Sequence, residues 1–161
     1  MRSALVLYAG IRPIALTTAL VFAASACLAA GLSAADAVKA RQQHFKDVGG
    51  AAKALGEQFK SGAPDPAIVK AQAAKLSQLA PTLPTWFPAG TGAEAGVKTR
   101  ALPLIWTDGP GFAAAAKTLA TETTKLNALA AAGDVAGAGA QMQAVGAACG
   151  GCHKKFRGPE S

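Results

Sequence analysis

Apolar residues in two long segments of the chain recur at alternating intervals of three and four, which places them on one face of an α-helix. The stripe in residues 36–59 includes one charged side chain, Arg41, and otherwise consists of Val38, Phe45, Val48, Ala52, Leu55 and Phe59. The stripe in residues 110–132 comprises Phe112, Ala116, Leu119, Thr123, Leu126 and Ala130. Both segments are predicted to be amphipathic helices that pack against antiparallel neighbours.

Turn and capping residues predict two more helices. Asp65 is a suitable N-cap and Pro66 a suitable first residue for a helix that stops at Pro81. Gly133 and Asp134 predict a tight turn into a last helix over about 134–157. The apolar faces are predicted to be Ile68, Ala71, Leu76 and Leu79 in the former helix, and Val135, Met142, Val145, Cys149, Cys152 and Phe156 in the latter.

No segment shows the alternation typical of strands, so the predicted fold class is all-α, an antiparallel up-down four-helix bundle. The connection over 81–111 is rich in Pro and Gly and contains Trp86 and Trp106. We expect this connection to pack onto the bundle. Hydrophobic sealing of one bundle end is the favoured interpretation, and a docking site for a partner protein is the alternative.

The first 34 residues have the organisation of a secretory signal peptide. Arg2 and Arg12 flank an apolar run at 14–24, which small residues follow. The apolar run is shorter than the roughly 20 residues that a membrane-spanning helix needs. We therefore predict an exported, periplasmic protein that does not span the membrane, with residues 35–161 forming a single domain.

Cleavage of the signal peptide is predicted after Ala34, and sites near Ala26 and Ala30 are alternatives. Cys27 suggests a lipoprotein signal, but the leucine expected three residues before such a cysteine is missing. The formal net charge of the whole chain is +7, and the positive charges are scattered along it. Scattered charge argues against nucleic acid as a partner and is compatible with a weak preference for acidic partners.

Cys149-Gly150-Gly151-Cys152-His153 has the C-x-x-C-H pattern by which a c-type haem is attached. Two thiols at this spacing can form thioether bonds with the vinyl groups of a porphyrin. The imidazole that follows is then placed to bind the iron as proximal ligand. The sequence thus predicts one covalently attached haem c near one end of the bundle.

A redox disulfide and half of a zinc site are the alternative interpretations of the two cysteines. A redox C-x-x-C usually accompanies a βαβ pattern, which the sequence does not show. Structural zinc requires four ligands, and the chain contains only one further cysteine, Cys27, and one further histidine, His44. Both alternatives are therefore disfavoured.

The chain resembles the class II cytochromes c, the cytochrome c′ and cytochrome c-556 group, over residues 36–158. The similarity is carried by Val-Lys-Ala-Arg-Gln at 38–42, Thr-Arg-Ala-Leu-Pro-Leu-Ile-Trp at 99–106, Ala-Gly-Asp at 132–134, and the tail Cys-Gly-Gly-Cys-His-Lys-Lys-Phe-Arg at 149–157. In mitochondrial-type cytochrome c the haem motif lies near the N-terminus instead.

The resemblance implies a role for each matching residue. Cys149 and Cys152 are implied as the thioether cysteines and His153 as the proximal iron ligand. Arg157 is similar to the basic residue beside the proximal haem face of the family. The resemblance also places Arg41 and Gln42 beside the haem propionates. For the two arginines, a solvated surface charge is the alternative.

The resemblance places Phe45 at the distal position, four residues after Arg41, and a phenyl ring has no lone pair for iron. In low-spin cytochromes c-556 this position holds a methionine that binds the iron, whereas many members with five-coordinate iron have an apolar residue there. Met142 is the only methionine after the signal peptide, and therefore the only thioether that could replace a distal methionine. It precedes His153 by a helix rise of about 16 Å, so it is unsuited to bind the opposite haem face.

The identity of the sixth ligand stays open, because His44 is next to Phe45 in sequence and lies only about 100° from it around the helix. A partly exposed histidine at the flank is favoured over an iron ligand. We therefore expect a c′-like protein that binds NO and CO, carries single electrons, or does both. The alternative is a low-spin electron-transfer cytochrome with His44 or another group as sixth ligand.

No catalytic residues are identified, so we do not expect an enzyme. A haem subunit docked to a larger redox enzyme through the connection over 81–111 is a further alternative. The resemblance makes a homodimer possible through the first two helices, while the outer face of the first helix has no large apolar patch. Monomer and homodimer both stay open, and no redox partner is identified.

Overall fold

A computed structural model describes residues 32–159. Within this range the helices are α1 (Ala34–Lys60), α2 (Pro66–Leu79), α3 (Leu104–Thr107), α4 (Gly109–Ala131) and α5 (Val135–Phe156). α1 packs against α2, α2 against α4, and α4 against α5, so the four long helices form a bundle. The predicted all-α four-helix bundle is confirmed.

The capping residues explain where the helices begin. The side chain of Asp65 accepts a hydrogen bond from the Ala67 N–H, and Pro66 is the first residue of α2, as predicted. Gly133 has φ 81°, which suits glycine, and the Asp134 side chain caps α5. Asp108, which the sequence analysis did not identify as a cap, accepts from the Gly111 N–H at 3.0 Å and begins α4.

The predicted core faces are confirmed in α4 and mostly in α1 and α5. All six residues predicted for the face of α4 are buried. In α1 the buried residues include Val38, Arg41 and Leu55, and in α5 they include Val145 and Phe156. The remaining predicted residues of α1 and α5 are partly buried and pack against the core.

The predicted core face of α2 is wrong at its first two positions, Ile68 and Ala71, and confirmed at Leu76, which is buried, and Leu79, which packs against the core. Ile68 is 39% exposed and Ala71 is also exposed, whereas Val69, Ala73 and Leu76 are buried. The buried residues are separated by four and then three positions, which keeps them in one continuous stripe. The predicted set contains a gap of five residues between Ala71 and Leu76, and that gap breaks the stripe.

The connection between α2 and α4 is packed onto the bundle, as predicted, and contains short helical turns. Two 3₁₀ helices, Ala80–Trp86 and Ala93–Ala95, precede α3. Leu83, Trp86 and Ile105 are buried in the same core as the long helices. The Trp106 indole N–H donates to the carbonyl oxygens of Phe87 at 3.1 Å and Pro88 at 3.2 Å. The connection is therefore part of the folded core.

The predicted signal peptide falls almost entirely outside residues 32–159, so its cleavage site stays a prediction. Within residues 32–159, no helix has both the length and the apolar character needed to cross a membrane.

Candidate functional site

The C-x-x-C-H motif lies on the last two turns of α5. The helix continues through Cys149, Cys152 and His153 and ends at Phe156. Residues three and four apart share a helix face, so the three side chains project from one side of α5. Both thiols are free and partly buried against the core, and the imidazole is more exposed.

The electrostatic environment favours protonated thiols. Burial raises the pKa of the Cys149 thiol, against a smaller lowering effect of a backbone hydrogen bond. Burial also raises the pKa of the Cys152 thiol, and the charge of Cys149 raises it further. Redox-active cysteines have lowered pKa values, so this pair does not have the environment of a redox disulfide.

His153 has the environment of a neutral imidazole. Partial shielding from water lowers its pKa, and the positive charges of Arg157 and Arg100 lower it further. At neutral pH a nitrogen lone pair is therefore available for a metal. The shift also shows that Arg100 acts on His153, which the sequence analysis did not identify, although Arg100 lies in the 99–106 stretch that carried the family resemblance.

A short strap attaches the connection to the segment after α5. Ala101 and Arg157 form an isolated antiparallel bridge, in which the Leu102 N–H donates to the Phe156 carbonyl at 3.1 Å. The Gly158 N–H donates to the Arg100 carbonyl at 2.8 Å, and the Arg100 Nε–H donates to the Gly158 carbonyl at 2.9 Å. This strap fixes the backbone of both arginines beside the end of α5.

Arg41 is 3% exposed, so it is not a solvated surface charge. One terminal nitrogen donates to Thr91 Oγ1 at 3.0 Å and to the Trp86 carbonyl at 3.5 Å. The other donates to the Thr91 carbonyl at 2.9 Å and to Thr99 Oγ1 at 3.0 Å. The guanidinium carbon lies 4.5 Å from the centre of the Phe87 ring.

The guanidinium of Arg41 is bonded only to neutral oxygen atoms among residues 32–159. Removal from water lowers its pKa, yet an arginine stays charged in proteins. A buried charge is costly unless an opposite charge accompanies it. An anionic group such as a haem propionate would fit this position. Gln42, on the next position of α1, is exposed and donates to the Lys98 carbonyl at 2.8 Å.

Phe45 belongs to an aromatic cluster that links α1 to α5. Its ring meets Trp86 edge-on at 5.3 Å and Phe87 at 6.1 Å between centroids. Phe87 contacts Phe112 at 4.9 Å, and Phe112 contacts Phe156 at 5.3 Å. The cluster consists of Phe45, Trp86, Phe87, Trp106, Phe112 and Phe156. It brings the predicted distal residue and the haem-motif helix into one packed unit.

His44 is turned toward the connection. Its ring is stacked on Trp86, with 4.8 Å between centroids and 27° between planes. The contact joins residues that lie far apart in the chain, and no local signal in the sequence identifies it.

The donor set fits a haem better than a bare metal ion. Over the described range 32–159, no three His, Cys, Asp or Glu side chains come together to hold a metal. A porphyrin supplies four nitrogen ligands of its own, so the iron requires only an axial ligand from the protein. One histidine beside two thiols, with a buried cation across the aromatic cluster, is compatible with that requirement.

A four-helix bundle with C-x-x-C-H on its last long helix has the fold and the site of a class II c-type cytochrome. The family described as Cytochrome C′ matches residues 36–157, and the chain belongs to this family. Members of this family bind covalently attached haem c, which is therefore the cofactor of this protein. The chain is a c-type haem protein of a family that binds gases or carries electrons.

Similar proteins include members of both subgroups. The chain is 36% identical to cytochrome c′ of Rubrivivax gelatinosus, over 76% of this chain and 94% of that protein. It is 36% identical to cytochrome c-556 of Agrobacterium fabrum, over 88% of this chain and 93% of that protein. A nitric oxide complex of a cytochrome c prime mutant from Alcaligenes xylosoxidans superposes with TM-score 0.72 and 30% identity, covering 81% of this chain and 99% of that chain.

Proposed function

We propose that this protein is a periplasmic c′-type cytochrome in which His153 binds the haem iron, Phe45 covers the opposite face, and NO or CO binds the iron. The observation that carries the proposal is the packing at the predicted distal position. Phe45 has no atom that binds iron, and its neighbour His44 is stacked on Trp86. Within residues 32–159, neither of these two candidates at the distal position therefore supports a sixth protein ligand.

The remaining residues hold the haem and shape its environment in this proposal. Cys149 and Cys152 attach the porphyrin through thioether bonds, and the bound haem supplies the iron at which ligands bind or electrons are exchanged. Arg157 contributes positive charge beside His153, as its effect on the pKa of that imidazole indicates. Arg41 and Gln42 would lie beside the propionates, where the guanidinium gains an anionic partner.

The apolar distal side explains the proposed ligand preference. A phenyl ring offers no hydrogen-bond donor and must move aside before anything reaches the iron. Small uncharged diatomic molecules need less space and lose less hydration than water-solvated anions. The nitric oxide complex of the Alcaligenes xylosoxidans protein supports the same ligand class for this chain.

Electron transfer is the second candidate function, and the similarity to cytochrome c-556 of Agrobacterium fabrum favours it. The two functions differ at the distal position. A low-spin carrier needs a sixth ligand, and Phe45 does not supply one. We therefore place gas binding first and treat single-electron exchange as compatible with it. We propose neither function as catalytic.

Titration of the purified ferrous protein with CO and NO tests the proposal. We expect both gases to bind, with a change in the Soret absorption band at each addition. A ferrous protein whose spectrum does not change with millimolar concentrations of either gas would contradict the proposal, because an open iron binds both. Mass spectrometry of the haem peptide in the same preparation checks attachment to Cys149 and Cys152.

The proposal includes export and self-association. Residues 1–34 would direct the chain to the periplasm, where residues 35–161 fold as the haem domain. Ile68 and Ala71 are exposed one turn apart on α2, and these two apolar side chains would contribute to a homodimer interface. Sedimentation equilibrium on the exported protein distinguishes dimer from monomer, and N-terminal sequencing gives the cleavage site.

A further inference from the structure

The His44 side chain makes a contact that the proposed function does not use. Its imidazole is half-buried and stacked on the indole of Trp86, at a centroid separation of 4.8 Å and an interplanar angle of 27°. These values fall in the range of favourable offset-stacked aromatic pairs.

Trp86 contacts both His44 and Phe45. The indole is 7% exposed, and its plane is perpendicular to the Phe45 ring, at 89° and 5.3 Å between centroids. The carbonyl of Trp86 accepts a long hydrogen bond from Arg41 at 3.5 Å. Any outward rotation of the indole therefore breaks its stack with His44 and removes the edge contact from Phe45.

The second support of Phe45 is held independently of His44. Phe87 lies 6.1 Å from Phe45 and is itself contacted by Arg41 at 4.5 Å and by Phe112 at 4.9 Å. Phe87 thus has partners on α1 and α4, whereas His44 is the ring that stacks on Trp86. A change at His44 would therefore loosen the contact of Phe45 with Trp86 and leave its contact with Phe87 in place.

We propose that His44 is a positioning residue that holds Phe45 in place through Trp86, and thereby sets the rate at which a diatomic ligand reaches the iron. The inference rests on the proposed function, in which Phe45 covers the distal face of the haem. The ring of Phe45 has to swing away before a ligand enters, and it swings away more readily when Trp86 is free to move.

Two substitutions separate stacking from every other property of His44. His44→Ala removes the ring, and His44→Phe keeps an aromatic ring that stacks but has no nitrogen lone pair. Gln43→Ala is the matched control, because Gln43 is the neighbouring exposed residue on α1 and its amide donates to Asp47 at 3.5 Å. The association and dissociation rates of CO with each ferrous protein are measured by stopped flow and flash photolysis.

We expect His44→Ala to raise the CO association rate roughly three- to tenfold, the factor that corresponds to the loss of one aromatic pair. His44→Phe and Gln43→Ala are expected to stay within about twofold of the wild type, since stacking is retained in the one and untouched in the other. The NMR signal of the Trp86 indole N–H in the ferrous CO complex is expected to broaden in His44→Ala alone.

An equal CO association rate in His44→Ala and the wild type would overturn the inference and leave the proposed function intact, provided that CO binds. A lower thermal midpoint in His44→Ala with an unchanged rate would show a merely structural role and overturn it as well. A wild type that is low-spin, with both His44→Ala and His44→Phe high-spin, would identify His44 as an iron ligand. That result would overturn the inference and the proposed function together.

Discussion

Arg41 joins α1 to the connection over 81–111 through hydrogen bonds between residues that are distant in the sequence. Its partners Thr91 and Thr99 lie 50 and 58 positions away in sequence. The sequence pattern identified Arg41 as the charged exception in an apolar stripe, and the structure shows why such an exception is tolerated. The charge is directed into a set of neutral oxygen acceptors that the folded connection supplies.

Replacement of Arg41 by methionine is expected to lower the free energy of unfolding by about 2–4 kcal/mol, because the acceptors that it leaves unsatisfied stay buried. Lys39→Met is the control, since the Lys39 side chain is 68% exposed and makes a surface ion pair with Asp36. Urea unfolding of the haem-loaded proteins provides both values. Equal losses in the two variants would show that burial of Arg41 contributes nothing to stability.

Phe45 offers a second test at the residue scale. Phe45→Met places a thioether at the distal position, so we expect the iron to become low-spin with a sulfur ligand. Phe45→Leu supplies similar apolar bulk without a donor atom and is expected to keep the wild-type spin state. Absorption spectra of the ferric proteins distinguish the two outcomes. A Phe45→Met protein with an unchanged spectrum would contradict the distal placement of this residue.

At the scale of the helices, periodicity predicted the buried face well where the stripe was continuous. The face of α4 is confirmed at all six positions. In α2, the predicted positions Ile68 and Ala71 are exposed, and Val69 and Ala73 are buried in their place, in the helix that packs against α1 and α4. The short helices of the connection were not predicted, because Pro and Gly mark breaks without specifying the turns between them.

The corrected face of α2 predicts a large difference between two apolar truncations. Leu76→Ala is expected to cost about 2–4 kcal/mol of unfolding free energy, since Leu76 is buried in the core. Ile68→Ala is expected to cost less than about 0.5 kcal/mol in the monomer, since the side chain is partly exposed. Urea unfolding at low protein concentration measures both. A larger loss of unfolding free energy for Ile68→Ala than for Leu76→Ala would show that Ile68 lies on the core face of α2, as the sequence pattern predicted.

The contact between the start of α4 and the end of α5 is expected to weaken at acid pH. The Asp108 carboxylate lies 2.6 Å from the Lys155 ammonium group. The Lys155 side chain and then the Gly111 N–H hold the pKa of this carboxyl below its usual value of 3.8. A lowered pKa in the folded state means that the stabilisation is complete above about pH 4 and disappears as the pH falls through the folded-state pKa.

Asp108→Asn therefore tests the contact between Asp108 and Lys155. We expect the variant to be less stable than the wild type at pH 7 and to lose less of its stability as the pH falls below about 4. The midpoint of urea unfolding as a function of pH measures the difference, and Lys155→Gln is expected to reduce the same acid loss. Parallel curves for wild type and Asp108→Asn would exclude a contribution of Asp108 to acid stability.

At the scale of the whole molecule, the features that could be predicted are those encoded by residues close together in the sequence. The C-x-x-C-H motif is contiguous, and the bundle follows from helical periodicity, so both could be predicted from the sequence. The strap between Ala101 and Arg157, the bonds of Arg41 and the stack of His44 on Trp86 join residues distant in the chain. Such contacts depend on the packed connection, which the sequence pattern located without specifying its path.

The proposed gas binding requires that no protein side chain binds the iron on the distal side of the haem. The direct measurement is the EPR spectrum of the purified, haem-loaded ferric protein at neutral pH. An iron bound by His153 alone, with Phe45 across the haem, is expected to give an axial high-spin signal. A purely low-spin signal at neutral pH would show that a sixth ligand is bound, and it would contradict the open distal side on which the proposed gas binding depends.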